Sequence, residues 1–101
     1  MLLRIWRTEF DPELRGELQR FADEKSAPMF GDLPGCLGFT YAYHDATWIT
    51  LSYWSSLADI AAAESSARYR AVVADIVDAG FLVGEQTTEV FEVTTSDFPT
   101  G

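Results

Sequence analysis

Residues 36–54 read CLGFTYAYHDATWITLSYW. Side chains along an extended chain point alternately to opposite faces, so a period of two marks a strand. Leu37, Phe39, Tyr41 and Tyr43 share one such face, and Gly38, Thr40, Ala42 and His44 share the other. After the Asp45-Ala46 step, Thr47 to Trp54 alternates again, setting Trp48 and Trp54 against Ile49, Leu51 and Tyr53. Two alternating runs this close in sequence predict an antiparallel hairpin.

On the N-terminal side, residues 2–9 (LLRIWRTE) read as a strand with Leu3 and Ile5 on one face and Leu2, Arg4 and Trp6 on the other. Asp11-Pro12-Glu13 is a helix start: Asp caps free N–H groups, Pro suits the first turn, and Glu complements the dipole. Leu14, Leu18, Phe21 and Ala22 follow at helical spacing. Pro28 is expected to end or bend this helix near Ser26–Ala27, and Leu33-Pro34-Gly35 marks a turn.

On the C-terminal side, Ser56 and Asp59 stand at capping-box spacing before the Ala-rich run Leu57–Glu64. Ser65-Ser66 interrupts that run and caps a second helical piece carrying Tyr69, Val72, Val73, Ile76 and Val77, which ends at Ala79-Gly80. A last strand is expected over about residues 85–94, and residues 96–101 as a frayed tail. The order is β-α-β-β-α-β, an α+β ferredoxin-like arrangement with a four-stranded antiparallel sheet and helices on one face. It makes one domain over residues 1–95.

Composition narrows the partners. The 101 residues carry seven Lys and Arg against sixteen Asp and Glu, a formal net charge of -9. The cations are scattered among acids, which argues against nucleic acid and anionic membranes as partners. No run approaches the ~20 apolar residues of a membrane span, and the N-terminus has no signal-peptide pattern. Cys36 and His44 are each the sole residue of their type. Neither a four-ligand zinc site nor an intramolecular disulfide can form from them, and a cytoplasmic location is expected. The strands are apolar on both faces, whereas the helices suffice for one. A homodimer that covers the second face is therefore expected.

Arg4-Ile5-Trp6-Arg7, Leu33-Pro34-Gly35-Cys36-Leu37-Gly38 and Leu51-Ser52-Tyr53-Trp54-Ser55-Ser56-Leu57, in this order within a βαββαβ chain, resemble the antibiotic biosynthesis monooxygenase (ABM) family of dimeric α/β-barrel proteins. The resemblance covers about Leu3 to Val93. It implies a homodimer with a pocket in each subunit between sheet and helices. It also implies a cofactor-independent monooxygenase, acting without metal or flavin on an aromatic or quinol-like small molecule. The alternative is a non-catalytic small-ligand-binding or structural homodimer of the same fold. The haem-degrading branch resembles a different pattern, with Asn in strand one, Trp in helix two and His in the next helix. Aligned on Trp54, its Trp and His positions fall on Ala63 and Val73, and Ile5 to Arg7 contain no Asn. Haem degradation is not expected, because the axial imidazole is absent from that helix.

An oxygenation of this kind holds an electron-rich anion in a dry pocket and stabilises its charge. The pocket candidates are Arg7, Phe21, Tyr53, Ala63, Tyr69 and Val73, with His44 a weaker one. Each has a plainer reading. His44 titrates near neutrality, yet a hairpin tip makes it a solvated turn residue. Tyr69 lies on an apolar helix stripe, where a tyrosine is usually core. Arg7 can pair with Glu9 or Glu89 along the sheet edge. Cys36 reads as a small buried apolar residue.

Overall fold

The hairpin forms strand for strand in the computed structural model, which describes residues 1–97. Strand β2 (Cys36–His44) pairs with β3 (Thr47–Trp54) from His44 opposite Thr47 to Cys36 opposite Trp54. Asp45 takes a left-handed φ of 51° to close the two-residue turn, a conformation that short polar side chains tolerate. The far edge of β3 pairs with β1 (Leu2–Phe10), which in turn pairs with β4 (Leu82–Glu92). All pairings are antiparallel and the strand order is β2-β3-β1-β4. This is the ferredoxin-like α+β sheet expected from the element order.

β4 begins earlier than its sequence suggests, at Leu82 rather than Glu85. The φ of Gly84, +73°, falls where the β1–β4 register shifts between Arg7 and Glu9. The glycine absorbs a bulge and the pairing continues to Leu82 opposite Phe10. The frayed tail expected over residues 96–101 lies, from Phe98 on, outside the described residues.

The first helical segment departs further from expectation. A 3-10 turn (Pro12–Leu14), capped by the Asp11 side chain on the Glu13 N–H, leads into α1 (Arg15–Phe21). The chain then widens into a π-helical turn (Ala22–Ser26) and continues as α2 (Ala27–Asp32). Pro28 therefore does not end the helical run, but the change from π-helical turn to α2 falls at Ser26–Ala27, where the sequence places its effect. Its ring would clash with the carbonyl one turn back in a regular α-helix. The wider turn, in which the Ala27 N–H donates to Ala22 O, shifts the bonding by one residue just before it.

On the other side of the hairpin, Ser56 caps α3 (Leu57–Ser65) through the Asp59 N–H. Ser66 then caps α4 (Ala67–Asp78) through the Tyr69 N–H. Gly35, at φ +82°, closes the turn before β2, and any side chain there would collide with Asp59. Among the described residues no helix is long and apolar enough to cross a membrane.

The helices cover one face of the sheet, which presents Leu2, Arg4, Trp6, Thr8 and Phe10 from β1 and Trp48, Thr50, Ser52 and Trp54 from β3. All of these are buried except Trp6, which is half-buried. The core divides into two clusters. One gathers Leu2, Met29, Phe30, Leu33, Trp54, Ile60 and Ala63, and the other Phe10, Leu18, Phe21, Ala22, Trp48 and Ile76. Tyr41 and Val72 pack against both.

Candidate functional site

A cleft opens where the two clusters meet, and strand β3 supplies part of its floor. The helix-facing residues of β3 are Trp48, Thr50, Ser52 and Trp54, large at both ends and small between. Each indole folds inward onto its small neighbour. Trp48 Nε1 donates to Thr50 Oγ1 at 3.1 Å, and Trp54 Nε1 donates to Ser52 Oγ at 2.8 Å. The cavity measures about 50 Å3. It is a narrow slot.

Its polar end is built from β1 and α4. Arg4 lies on the same face as Leu2 and Trp6, so alternation carries its guanidinium under the helices, where the residue is 3% exposed. Nη2 of Arg4 donates to the Tyr69 hydroxyl oxygen at 2.6 Å and to Glu64 Oε2 at 3.1 Å. The Glu64 side chain remains 44% exposed against 4% for Arg4. Solvent therefore screens the carboxylate far more than the guanidinium, and the cleft keeps a positive end. Ser66 fixes Tyr69 by accepting its backbone N–H at 3.1 Å.

The opposite wall is aromatic. The rings of Tyr41 and Trp48 lie 5.5 Å apart at 37°. The Tyr41 hydroxyl crosses to the π-helical turn and donates to Ala22 O at 3.2 Å. Burial pushes the Tyr41 phenol well above the ordinary tyrosine range; a hydrogen bond donated by the Ser26 hydroxyl opposes this and the Asp23 charge adds to it. Tyr41 therefore stays neutral and serves as a wall. Arg4, Tyr41 and Tyr69 are the titratable groups of the lining, and among the described residues no carboxylate or imidazole joins them.

Of the residues singled out from the sequence, the fold brings Tyr69 and Val73 together in this lining. Phe21 and Ala63 are buried in the two core clusters on either side. Arg7 and Tyr53 project from the other face of the sheet, since their register partners Ile49 and Leu3 belong to that face. Arg7 forms no ion pair with Glu9 or Glu89 among the described residues. His44 is exposed at the hairpin tip, 3.3 Å from the Asp45 carboxylate. Cys36 is half-buried, and burial raises its thiol while a backbone hydrogen bond from Gly38 partly offsets the rise. Alternation along β2 already offers Tyr41 as a residue that could face the helices, and it lines the cleft; Arg4 and Thr50 are not among the candidates. For Arg4 a signal was present, a charge in phase with Leu2 and Trp6 on an apolar strand face. Among the described residues no cluster of His, Cys, Asp and Glu could hold a metal ion.

No family model and no curated protein matches this sequence. Solved structures do match its fold over nearly the whole chain. A protein of unknown function from Nitrosomonas europaea, NE2512, aligns at a TM-score of 0.78 and 18% identity, over 99% of this chain and 95% of its own. A monooxygenase from the ActVA-Orf6 gene of Streptomyces coelicolor, solved with the ligand nanaomycin D, aligns at 0.77 and 14% identity, over 98% and 92%. An antibiotic biosynthesis monooxygenase aligns at 0.74 and 14% identity, over 94% and 100%. The chain thus has the fold of ABM proteins, as the sequence resemblance implied.

Proposed function

We propose that this protein is a cofactor-independent monooxygenase acting on a planar aromatic or quinol-like small molecule. The observation that carries this reading is the narrow apolar cleft with the buried Arg4 guanidinium bonded to Tyr69 at one end. A substrate with a ring CH2 made acidic by conjugation to a carbonyl across the same ring, of the anthrone type, loses a proton to give an enolate. A positive end and a hydroxyl donor in a water-poor slot would stabilise that anion. The enolate then passes electrons to O2. One oxygen atom bonds to the ring carbon and the other leaves as water with both former CH2 hydrogens. The carbon is oxidised by four electrons and O2 is reduced by the same four. The similarity to the Streptomyces coelicolor monooxygenase supports the same reading at the level of fold.

A second reading is a non-catalytic small-ligand-binding dimer. The specific observation in its favour is that neither a carboxylate nor an imidazole lines the cleft among the described residues, so no strong base faces a bound substrate. An oxygen electrode separates the two. With anthrone in air-saturated buffer, the wild-type protein should consume one O2 per anthrone and yield the quinone. Tyr69→Phe should be slower by about ten-fold or more. Oxygen uptake at the buffer rate, with a small molecule retained in native mass spectra, would establish the second reading instead.

In both readings the subunit pairs with a second copy through the uncovered face of the sheet. Leu3 and Ile5 of β1 and Ile49, Leu51 and Tyr53 of β3 are half-buried there, and Phe91 of β4 is 49% exposed. An apolar face of this extent on a strand sheet calls for a cover.

A further inference from the structure

We infer that the Thr50 hydroxyl is a specificity-determining hydrogen-bond donor, which selects ligands carrying an acceptor oxygen over the floor of the cleft. This rests on the cleft being the ligand site and names a residue and a ligand feature within it. An indole N–H can only donate. Because Trp48 Nε1 donates to Thr50 Oγ1, the threonine oxygen is the acceptor in that pair and its own proton lies outside the bond. Among the described residues no acceptor takes that proton. Thr50 is only 6% exposed, so bulk water does not serve it freely either. Thr50 is one of the residues that line the cleft. A buried donor without an acceptor is costly in an apolar site, and a ligand oxygen placed above it relieves that cost.

Tyr69, also in the lining, repeats the arrangement. Its oxygen accepts from Arg4, which leaves the phenolic proton free to donate. The slot therefore offers two hydroxyl protons beside a wall of aromatic carbon. It suits a planar ring system bearing acceptor oxygens, such as an aryl ketone, and disfavours the bare hydrocarbon of the same shape. Ser52 is a built-in control. It receives the Trp54 indole N–H in the same way, but it is 0% exposed and lies outside the cleft lining.

The test compares 1-tetralone with tetralin, its hydrocarbon counterpart, by NMR titration of the intact protein. Wild type should bind the ketone more tightly. Thr50→Val should shrink that ketone-to-hydrocarbon ratio by about three- to ten-fold, the worth of one hydrogen bond. Thr50→Ser, which keeps the hydroxyl, should preserve the ratio, and so should Ser52→Ala. Should Thr50→Val alone fail to fold, combining it with Trp48→Phe removes donor and acceptor together and reads the same ratio. An unchanged ratio in the Thr50→Val protein would overturn the assignment while leaving the cleft as the ligand site. An equal loss in Ser52→Ala would also overturn it, by showing a general loosening of the floor. Failure of wild type to bind either compound would remove the cleft reading and this inference with it.

Discussion

At the scale of single residues, the cleft turns on groups whose protons are committed by their neighbours. Tyr41 is the clearest case, because its hydroxyl bridges the sheet to the π-helical turn through Ala22 O. Burial raises its phenol above the ordinary value, so the folded protein holds this proton more tightly than the unfolded chain does. The stabilising contribution is complete below the unfolded value, about pH 10. It fades as the pH rises from there toward the higher folded value. Tyr41→Phe keeps the ring and removes both the hydrogen bond and the titration. At pH 8 the variant should be less stable by about 1 kcal/mol. Near pH 11 the gap should narrow, because only wild type loses this contribution on the way. Urea midpoints at the two pH values read the difference, and a constant gap would mean that the Tyr41 phenol titrates alike in both states.

At the scale of elements, short-range chemistry was legible and cross-sheet chemistry was not. The Asp11, Ser56 and Ser66 caps and the 36–54 hairpin follow from residues a few positions apart, so the sequence contains all their parts. Ser66 shows how much one such joint carries. Its hydroxyl donates to Ala63 O at 2.7 Å and accepts the Tyr69 N–H, closing α3 and opening α4 with one side chain. Ser66→Ala should cost about 1 kcal/mol of stability. Ser66→Asp should recover part of it, since a carboxylate can accept from Tyr69 but cannot donate to Ala63. Thermal and urea unfolding check this, and a Ser66→Ala protein as stable as wild type would show that water replaces the hydroxyl at no cost. By contrast, Pro28 marks the place of the irregularity but not its form, because nothing near it in sequence announces the π-helical turn. That turn is held by Tyr41, nineteen positions away from Ala22. Alternation also placed Arg4 on the face of Trp6 without telling how deep it lies. Depth comes from helices that pack across the strand, and so the polar end of the cleft emerged only with the tertiary structure.

At the scale of the whole molecule, the same alternation that builds the cleft leaves a second apolar face. Leu3, Ile5, Ile49, Leu51 and Tyr53 occupy it because their register partners across β1 and β3 carry the same parity. The helices lie on the other side. The proposed two-fold pairing of this face with itself would remove it from water, and the apolar gain at ~25 cal/mol per Å2 would favour association. Charge opposes it, since each chain carries a formal net charge of -9 and two copies repel. The two effects differ in their response to salt. Screening shortens the reach of charge to about 10 Å at 0.1 M and leaves apolar burial in place, so raising the salt should tighten the dimer. Light scattering after size exclusion should give a mass near twice 11.3 kDa at micromolar concentration in 0.15 M salt. Dissociation on dilution should set in earlier at low salt. Leu51→Lys, opposite Ile5 at the centre of the face, should yield monomers whose circular dichroism still reports a folded sheet. A wild-type mass of one chain under those conditions would refute the pairing, and a Leu51→Lys protein that stays dimeric would move the interface elsewhere on the molecule.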